Sequence, residues 1–270
     1  MFDFNKEQKT VRKLKDFTKH NHIILTDRGN SAIFTALYIA KKVNERPVVL
    51  IPDQGGWASF KTYPKILGFE VKTIPTDFGI INLDELSLLT KHASATLVTS
   101  FAGYFAEQPI KEISEICKSN GCLLIEDASG AIGDSVLCNG EHSDIIVGSF
   151  DKYKPVSLGY GGFISFNEVK WLKEGHAAFS MSKPYPKIYK DLLPLLNRRN
   201  LNDMLEKAEK VKEELKEYEI IHRNKRGINV VTKFNNDIIN YCQRKKYKYL
   251  LCPKYIRVNA NAISIELKNV

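Results

Sequence analysis

The chain has 270 residues, 43% of them hydrophobic and 26% charged, which is enough to bury a sizeable core in one large or two modest domains. No apolar run reaches the length of a bilayer, and the start (Met1-Phe2-Asp3-Phe4-Asn5-Lys6) lacks the apolar centre of a signal peptide, so a membrane protein is excluded and a cytoplasmic one expected. Five cysteines without CxxC pairing argue for reduced thiols rather than a disulfide framework, and the net charge of +9 is read as a Lys-rich surface.

In chain order, Lys6 to Lys19 reads as a charged helix, 22–26 as a strand, 30–43 as a helix, 47–51 as a strand, 57–67 as a helix and 70–74 as a strand. Then 83–90 is helical, 95–99 a strand, 109–120 a helix, and 121–126, 144–149 and 161–166 are strands. Such alternation predicts an α/β fold with a large, mostly parallel sheet covered on both faces, whose ligands bind at the C-terminal strand ends. Thr26, Pro52, Asp127 and Ser149 all follow strand ends, so they converge on one crevice.

After Phe166 the pattern changes. Residues 167–200, with Pro184, Pro186 and Pro194, read as irregular. Leu201, Met204, Leu205, Ala208, Val211 and Leu215 then have helical spacing through Glu217. Strand-like Ile228–Phe234, a helix at Asn236–Arg244, and strand-like Tyr249–Cys252 and Ile263–Leu267 follow as a compact unit. The expected division is a large domain over 1–170, an irregular connection over 171–200, and a small C-terminal domain over 201–270.

The basic run Arg244-Lys245-Lys246-Tyr247-Lys248 closes a predicted helix, where cations suit the dipole, and no nucleic-acid motif accompanies it, so no nucleic-acid partner is expected. Six histidines show no metal spacing beyond His20-x-His22, which reads as a surface pair beside a helix end, and no metal site is predicted. Glu126 and Asp127 are adjacent, but alternation along a strand sends them to opposite faces, leaving Glu126 as an outer, structural carboxylate.

The most informative stretch begins at Cys122-Leu123-Leu124-Ile125-Glu126-Asp127, an apolar strand ending abruptly in carboxylates. It continues to Ser149-Phe150-Asp151-Lys152-Tyr153-Lys154 and the small-residue run Gly159-Tyr160-Gly161-Gly162. A buried carboxylate, a lysine that can be desolvated and a hydroxyl beside a phosphate-sized space are what pyridoxal 5'-phosphate (PLP) requires. The segment resembles the fold-type I PLP enzymes, and most closely the DegT/StrS family of sugar aminotransferases. That family has an Asp after a hydrophobic strand, a Ser-Phe-x-x-x-Lys turn and a Gly-x-Gly-Gly ending. Here Asp127 precedes Lys154 by 27 positions, with Ser149 and Phe150 five and four before that lysine. Spacing selects Lys154 as the Schiff-base lysine, with Lys152 the second choice.

The resemblance extends upstream. Asp27-Arg28-Gly29-Asn30-Ser31-Ala32 stands where the family has Ser-Gly-Thr-Ala-Ala-Leu, a turn that meets the cofactor phosphate at a helix N-terminus. Trp57, counted back from Leu67-Gly68, falls at the aromatic that stacks on the pyridine ring. The resemblance thus implies a fold-type I PLP-dependent transferase with a reduced C-terminal α+β small domain. Lys154 and Asp127 are the implied catalytic residues, and Gly29, Asn30, Ser31, Trp57, Asp127, Ser149 and Lys154 the implied cofactor-binding ones.

There are departures. Where members carry Gln or His three residues after the Asp, this chain has Gly130; where many carry Glu between the glycines, it has Tyr160. The chain also begins at the family's first helix, without the usual N-terminal arm. The implied activity is transfer of an amino group from an amino acid, glutamate by resemblance, to a keto-sugar or other carbonyl acceptor. The alternatives are a PLP lyase or other PLP enzyme, and a non-catalytic PLP-binding or partner-binding protein. A homodimer with PLP at its interface is expected, with Asn197, Arg198, Arg199 and Asn200 nominated as the source of contacts in trans.

Overall fold

The computed structural model describes residues 4–197 and 200–267. In chain order they form α1 (Phe4–Thr18), β1 (His22–Thr26), α2 (Gly29–Val43), β2 (Val48–Pro52), α3 (Tyr63–Ile66) and β3 (Glu70–Ile74). There follow β4 (Thr76–Asp77), β5 (Ile80–Ile81), α4 (Leu83–Leu89), β6 (Ala93–Thr99), β7 (Phe101–Ala102), β8 (Ala106–Glu107), α5 (Ile110–Ser119), β9 (Leu123–Asp127), β10 (Ile145–Ser149) and β11 (Gly162–Phe166). The remainder comprises α6 (Lys170–Glu174), α7 (His176–Met181), α8 (Ile188–Leu196), α9 (Asn200–Glu214), β12 (Val230–Lys233), α10 (Asn236–Lys245), β13 (Lys248–Leu251) and β14 (Ala262–Glu266).

Seven strands build the main sheet in the order β1-β11-β10-β9-β6-β2-β3. The pairs from β10 through β3 are parallel, while β11 runs antiparallel between β10 and β1. The C-terminal ends of β1, β2, β9 and β10 therefore lie along one edge, and β11 starts there, with Gly162 opposite both Thr26 and Ser149.

Every residue of β2 and β6 is buried, as expected of strands covered on two faces. Side chains split by parity. Val49, Ile51, Leu97 and Ile125 pack under α2 with Ile33, Ala36 and Leu37, whereas Val48, Leu50, Val98 and Leu124 pack against Ile113 and Cys117 of α5. Asp127 follows Ile125 onto the α2 side of the sheet, and Glu126 follows Leu124 onto the other.

The small unit has a three-stranded antiparallel sheet, β12-β14-β13, on which α9 and α10 lay Ala208, Val211, Ile238 and Tyr241. The fold is thus the expected α/β arrangement: a large, mostly parallel sheet flanked by helices, with a smaller α+β domain at the C-terminus. The basic run at the end of α10 is partly used within the chain. Lys245 pairs with Glu214 at 2.7 Å, and Lys248 lies over the Tyr153 ring.

Four expectations are corrected. Residues 167–200 are not irregular but carry α6, α7 and α8. The prolines suggested breaks, yet Ile188, Leu192 and Leu196 form a buried stripe of helical spacing, which outweighs the backbone hydrogen bond that Pro194 removes. The helix expected over 57–67 is a 3₁₀ turn (Ala58–Lys61) followed by the single turn α3, with Pro64 at its start. His20 is buried rather than on the surface, with its ring between Ser165 Oγ (2.9 Å) and the Ser143 carbonyl (3.0 Å). Glu126 is not outer: it is fully buried, accepting from Ser100 Oγ (2.6 Å), Ser143 Oγ (2.6 Å) and Cys138 N–H (3.0 Å).

Candidate functional site

A cavity of about 710 Å³ opens at the C-terminal strand ends. Its walls come from the β1–α2 turn, Trp57 after β2, Tyr104 in the β7–β8 turn, the ends of β9 and β10, the loop after β10, Tyr185 between α7 and α8, and two segments of the small domain. Segments far apart in the chain meet here because the parallel strands all end on this edge.

The turn after β1 supplies Gly29 and Asn30. Arg28, the residue before α2, is extended and makes no side-chain cap, so the first-turn amides have no hydroxyl or carboxylate on them from that residue. A Cβ on Gly29 would lie 2.5 Å from Ser149 Cβ, so only glycine lets this turn close onto the end of β10. A helix N-terminus pressed against a hydroxyl is an anion cradle by chemistry, suited to a phosphate group. Ser31 lies one residue beyond and does not line the cavity, whereas Ile33, unanticipated, does.

Asp127 ends β9 on the cavity floor and is buried. Its Oδ1 accepts from the Ser129 N–H at 3.0 Å, and Ser129 Oγ in turn accepts from the Ser149 N–H at 2.9 Å. Burial pushes the Asp127 carboxyl above its usual range, and the Lys154 charge and the Ser129 hydrogen bonds pull it back. Glu126, on the opposite face, is raised by burial too, although three donors oppose this.

Lys154 comes from the loop between β10 and β11, which closes on itself: Leu158 and Gly159 donate to the Phe150 carbonyl, and Phe150 donates to that of Gly161. The Lys154 side chain is buried, with Nζ donating to Tyr104 Oη and lying 5.3 Å from the centre of the Trp57 ring. Lys152 reaches the same cavity but is exposed. Trp57 forms one wall, and its indole N–H donates to Asn30 Oδ1 at 2.9 Å, so the Asn30 side chain orients the aromatic.

Several lining residues had no signal in the sequence motifs. Tyr104 sits in the tight turn between β7 and β8 with φ of +70°. Arg257 and Glu266 arrive from the small domain as a buried pair, Nε to Oε1 at 2.8 Å and Nη2 to Oε2 at 2.7 Å, with the guanidinium 5.2 Å from the Tyr104 ring centre. Tyr160, between the glycines of the loop, donates to Asp191 Oδ2 at 2.8 Å. Asn200, nominated for a contact in trans, donates to the Pro155 carbonyl of its own chain at 2.9 Å, while Arg198 and Arg199 lie outside the described residues.

The sequence profile of the DegT/DnrJ/EryC1/StrS aminotransferase family matches residues 4–180, about two thirds of the chain. The chain belongs to this family. A second profile, the C-terminal domain of the MJ1341 family, matches residues 198–270. Comparison with curated protein sequences finds no match. Among solved structures, the chain is similar to PseC of Helicobacter pylori, an aminotransferase involved in the biosynthesis of pseudoaminic acid. The two share 14% identity over 97% of this chain and 85% of that one, with a TM-score of 0.75. An apo cysteine desulfurase from Thermococcus onnurineus NA1 gives a TM-score of 0.75 at 13% identity, covering 98% of this chain and 80% of that one. Serine palmitoyltransferase of Sphingomonas wittichii gives 0.72 at 15% identity, covering 98% and 71%. At such identities these likenesses establish the fold.

The family's cofactor chemistry fits the cavity. A buried carboxylate, a buried lysine against an indole face, and the glycine-dependent cradle at Ser149 are donors and acceptors of the kinds PLP needs. Among the described residues no cluster could hold a metal ion, and no helix is long and apolar enough to cross a membrane.

Proposed function

We propose that the chain is a PLP-dependent aminotransferase that moves an amino group from an amino acid, glutamate by the family resemblance, to a keto-sugar or another small carbonyl acceptor. The observation that carries this reading is that Lys154 and Asp127, 27 residues apart in sequence, are both buried and both line one cavity walled by Trp57. Bound PLP would supply the electron sink that lets the Cα–H bond of an amine donor break.

The chain's own groups then have separate tasks. Lys154 Nζ would anchor the cofactor and afterwards carry the proton off and back onto carbon, work that needs its neutral form. Its burial in the cavity beside Trp57 and Tyr104 supports this assignment over exposed Lys152. Asp127 would hold a proton on the ring nitrogen by keeping a negative charge beside it. Gly29, Asn30 and Ser149 would bind the phosphate, Trp57 would cover one ring face, and Ser31, off the cavity, is left without a direct contact. All five cysteines are buried and none lines the cavity, so the sulfur chemistry of a desulfurase has no nucleophile here.

A homodimer is part of the proposal. Tyr153 and Tyr185 line the cavity and are exposed, and Met181 precedes Ser182, whose carbonyl accepts from Asp27 of the cavity wall. The exposed rings of Tyr153 and Tyr185 at the cavity support its closure by a second copy. Sedimentation with PLP tests it, and a loaded, active monomer at micromolar concentration would overturn it.

The activity is tested by absorbance. Glutamate should convert the bound-cofactor band to that of the aminated form, and a carbonyl acceptor should restore it. Borohydride reduction followed by peptide mapping should find the cofactor on Lys154, and Lys154→Ala should abolish band and turnover while leaving the fold intact. An adduct on Lys152 would overturn the lysine assignment. A band unchanged by any amino acid would leave a PLP-binding protein without transaminase activity.

A further inference from the structure

Tyr104 is held with unusual firmness for a turn residue. Its φ of +70° is a conformation that non-glycine residues rarely adopt. Its carbonyl accepts from both Ile228 (2.8 Å) and Asn229 (3.0 Å), which tie the turn to the small domain, and its N–H donates to the Phe101 carbonyl at 3.1 Å. Gly103, just before it, donates to the Gly55 carbonyl at 2.8 Å. The ring is equally confined. A Cβ on Gly130 would lie 2.9 Å from Tyr104 Cδ1 and 3.0 Å from Cε1, so the ring rests on bare backbone three residues past Asp127. On another side lies the Arg257 guanidinium, itself fixed by Glu266. The result of all this is a phenol hydroxyl against Lys154 Nζ.

We propose that Tyr104 is a positioning residue: clamped between Gly130 and the Arg257–Glu266 pair, it aims the Lys154 amine into the cavity for attachment of the cofactor. The inference rests on the PLP reading above and adds to it a route by which the small domain acts on the lysine. Rotation about four side-chain bonds would let a free lysine amine sweep a wide arc, and restricting it to one direction lowers the entropic cost of reaching the cofactor. The phenol supplies the directional contact, and the backbone strain at residue 104 is maintained by the surrounding hydrogen bonds.

The test measures PLP affinity by quenching of tryptophan fluorescence, with melting temperature as the control for the fold. Tyr104→Phe keeps the ring and its packing and removes only the hydroxyl. Its PLP affinity should fall roughly tenfold, the scale of one lost hydrogen bond to an ionisable group, with an unchanged melting temperature. Gly130→Ala should weaken PLP similarly by displacing the ring. In a Tyr104→Ala background Gly130→Ala should cost nothing further, because no ring is left to displace. Native-like affinity in Tyr104→Phe, or additive losses in the double variant, would overturn the proposal. A lower melting temperature with unchanged affinity would assign Tyr104 a purely structural role and overturn it too. Failure of the native protein to bind PLP would instead show that the cofactor reading itself is wrong, and the inference would fall with it.

Discussion

The Arg257–Glu266 pair offers the sharpest test of how the small domain supports the site. Both side chains are 4% exposed and share two charge-assisted hydrogen bonds of 2.8 and 2.7 Å, and Ser264 Oγ donates to Glu266 Oε1 at 2.8 Å. Arg257→Met keeps much of the volume and removes the guanidinium that holds the buried Glu266 carboxylate through two hydrogen bonds. Such a loss costs about 3–5 kcal/mol, a large part of the ~5–15 kcal/mol that holds a typical protein folded. With a urea slope of about 2–3 kcal/mol/M, the midpoint should fall by roughly 1–2 M. The double variant Arg257→Met, Glu266→Leu removes both charges and should recover to within about 1 kcal/mol of native, since the buried carboxylate goes together with its guanidinium. Urea unfolding of the three proteins, followed by circular dichroism, measures the cycle. A single variant costing less than about 1 kcal/mol, or a double variant as unstable as the single, would refute the view of a mutually dependent pair. The recovered double should still bind PLP more weakly than native, because the Tyr104 ring has lost one of its walls.

Further outcomes follow from the same geometry. Asp127→Asn should retain some PLP but lose at least about a hundredfold in turnover, ~2.7 kcal/mol of transition-state stabilisation, because an amide keeps no negative charge at the ring nitrogen; single-turnover kinetics decide it, and near-normal rates would remove Asp127 from the mechanism. Gly29→Ala forces a Cβ to within 2.5 Å of Ser149 Cβ, so it should destabilise by about 1–3 kcal/mol and weaken PLP binding, read by thermal melting and titration. His20 is held down to about 4 by burial. Its neutral form is the folded one, so its contribution is fully present above the unfolded value near 6.5 and is lost as pH falls from there through about 4. Native protein should therefore lose up to ~3 kcal/mol more than His20→Asn between pH 7 and pH 4, and equal losses in urea titrations would show that the ring stays hydrated.

The path from sequence to site was clearest where local pattern and chemistry coincide. Leu123–Ile125 running into Asp127, and Ser149-Phe150 ahead of Lys154, are legible because a buried parallel strand must be apolar throughout and a carboxylate at its end must face an opening. Parity put Glu126 and Asp127 on opposite faces, and the structure has them so. Parity does not report how deeply a face is covered, and for this reason Glu126 is enclosed by Ser100, Cys138 and Ser143 rather than exposed. The three helices across 170–196 were obscured by prolines, whose local cost is plain in sequence while the repayment, packing of α8 on α1 and of α6 and α7 on α2, is not.

By itself, then, the sequence determined the strand–helix alternation, the sheet edge on which the site lies, and the family, because these depend on short-range spacing and on residues whose chemistry is rare in that order. Tertiary structure alone decided which lysine is buried, that Asn30 steers Trp57, and that Tyr104, Arg257 and Glu266 stand at the cavity. Those three lie in the β7–β8 turn and the small domain, up to 162 residues apart in sequence, and carry no spacing rule. Their proximity follows from packing one domain on another, a long-range term that no local pattern encodes.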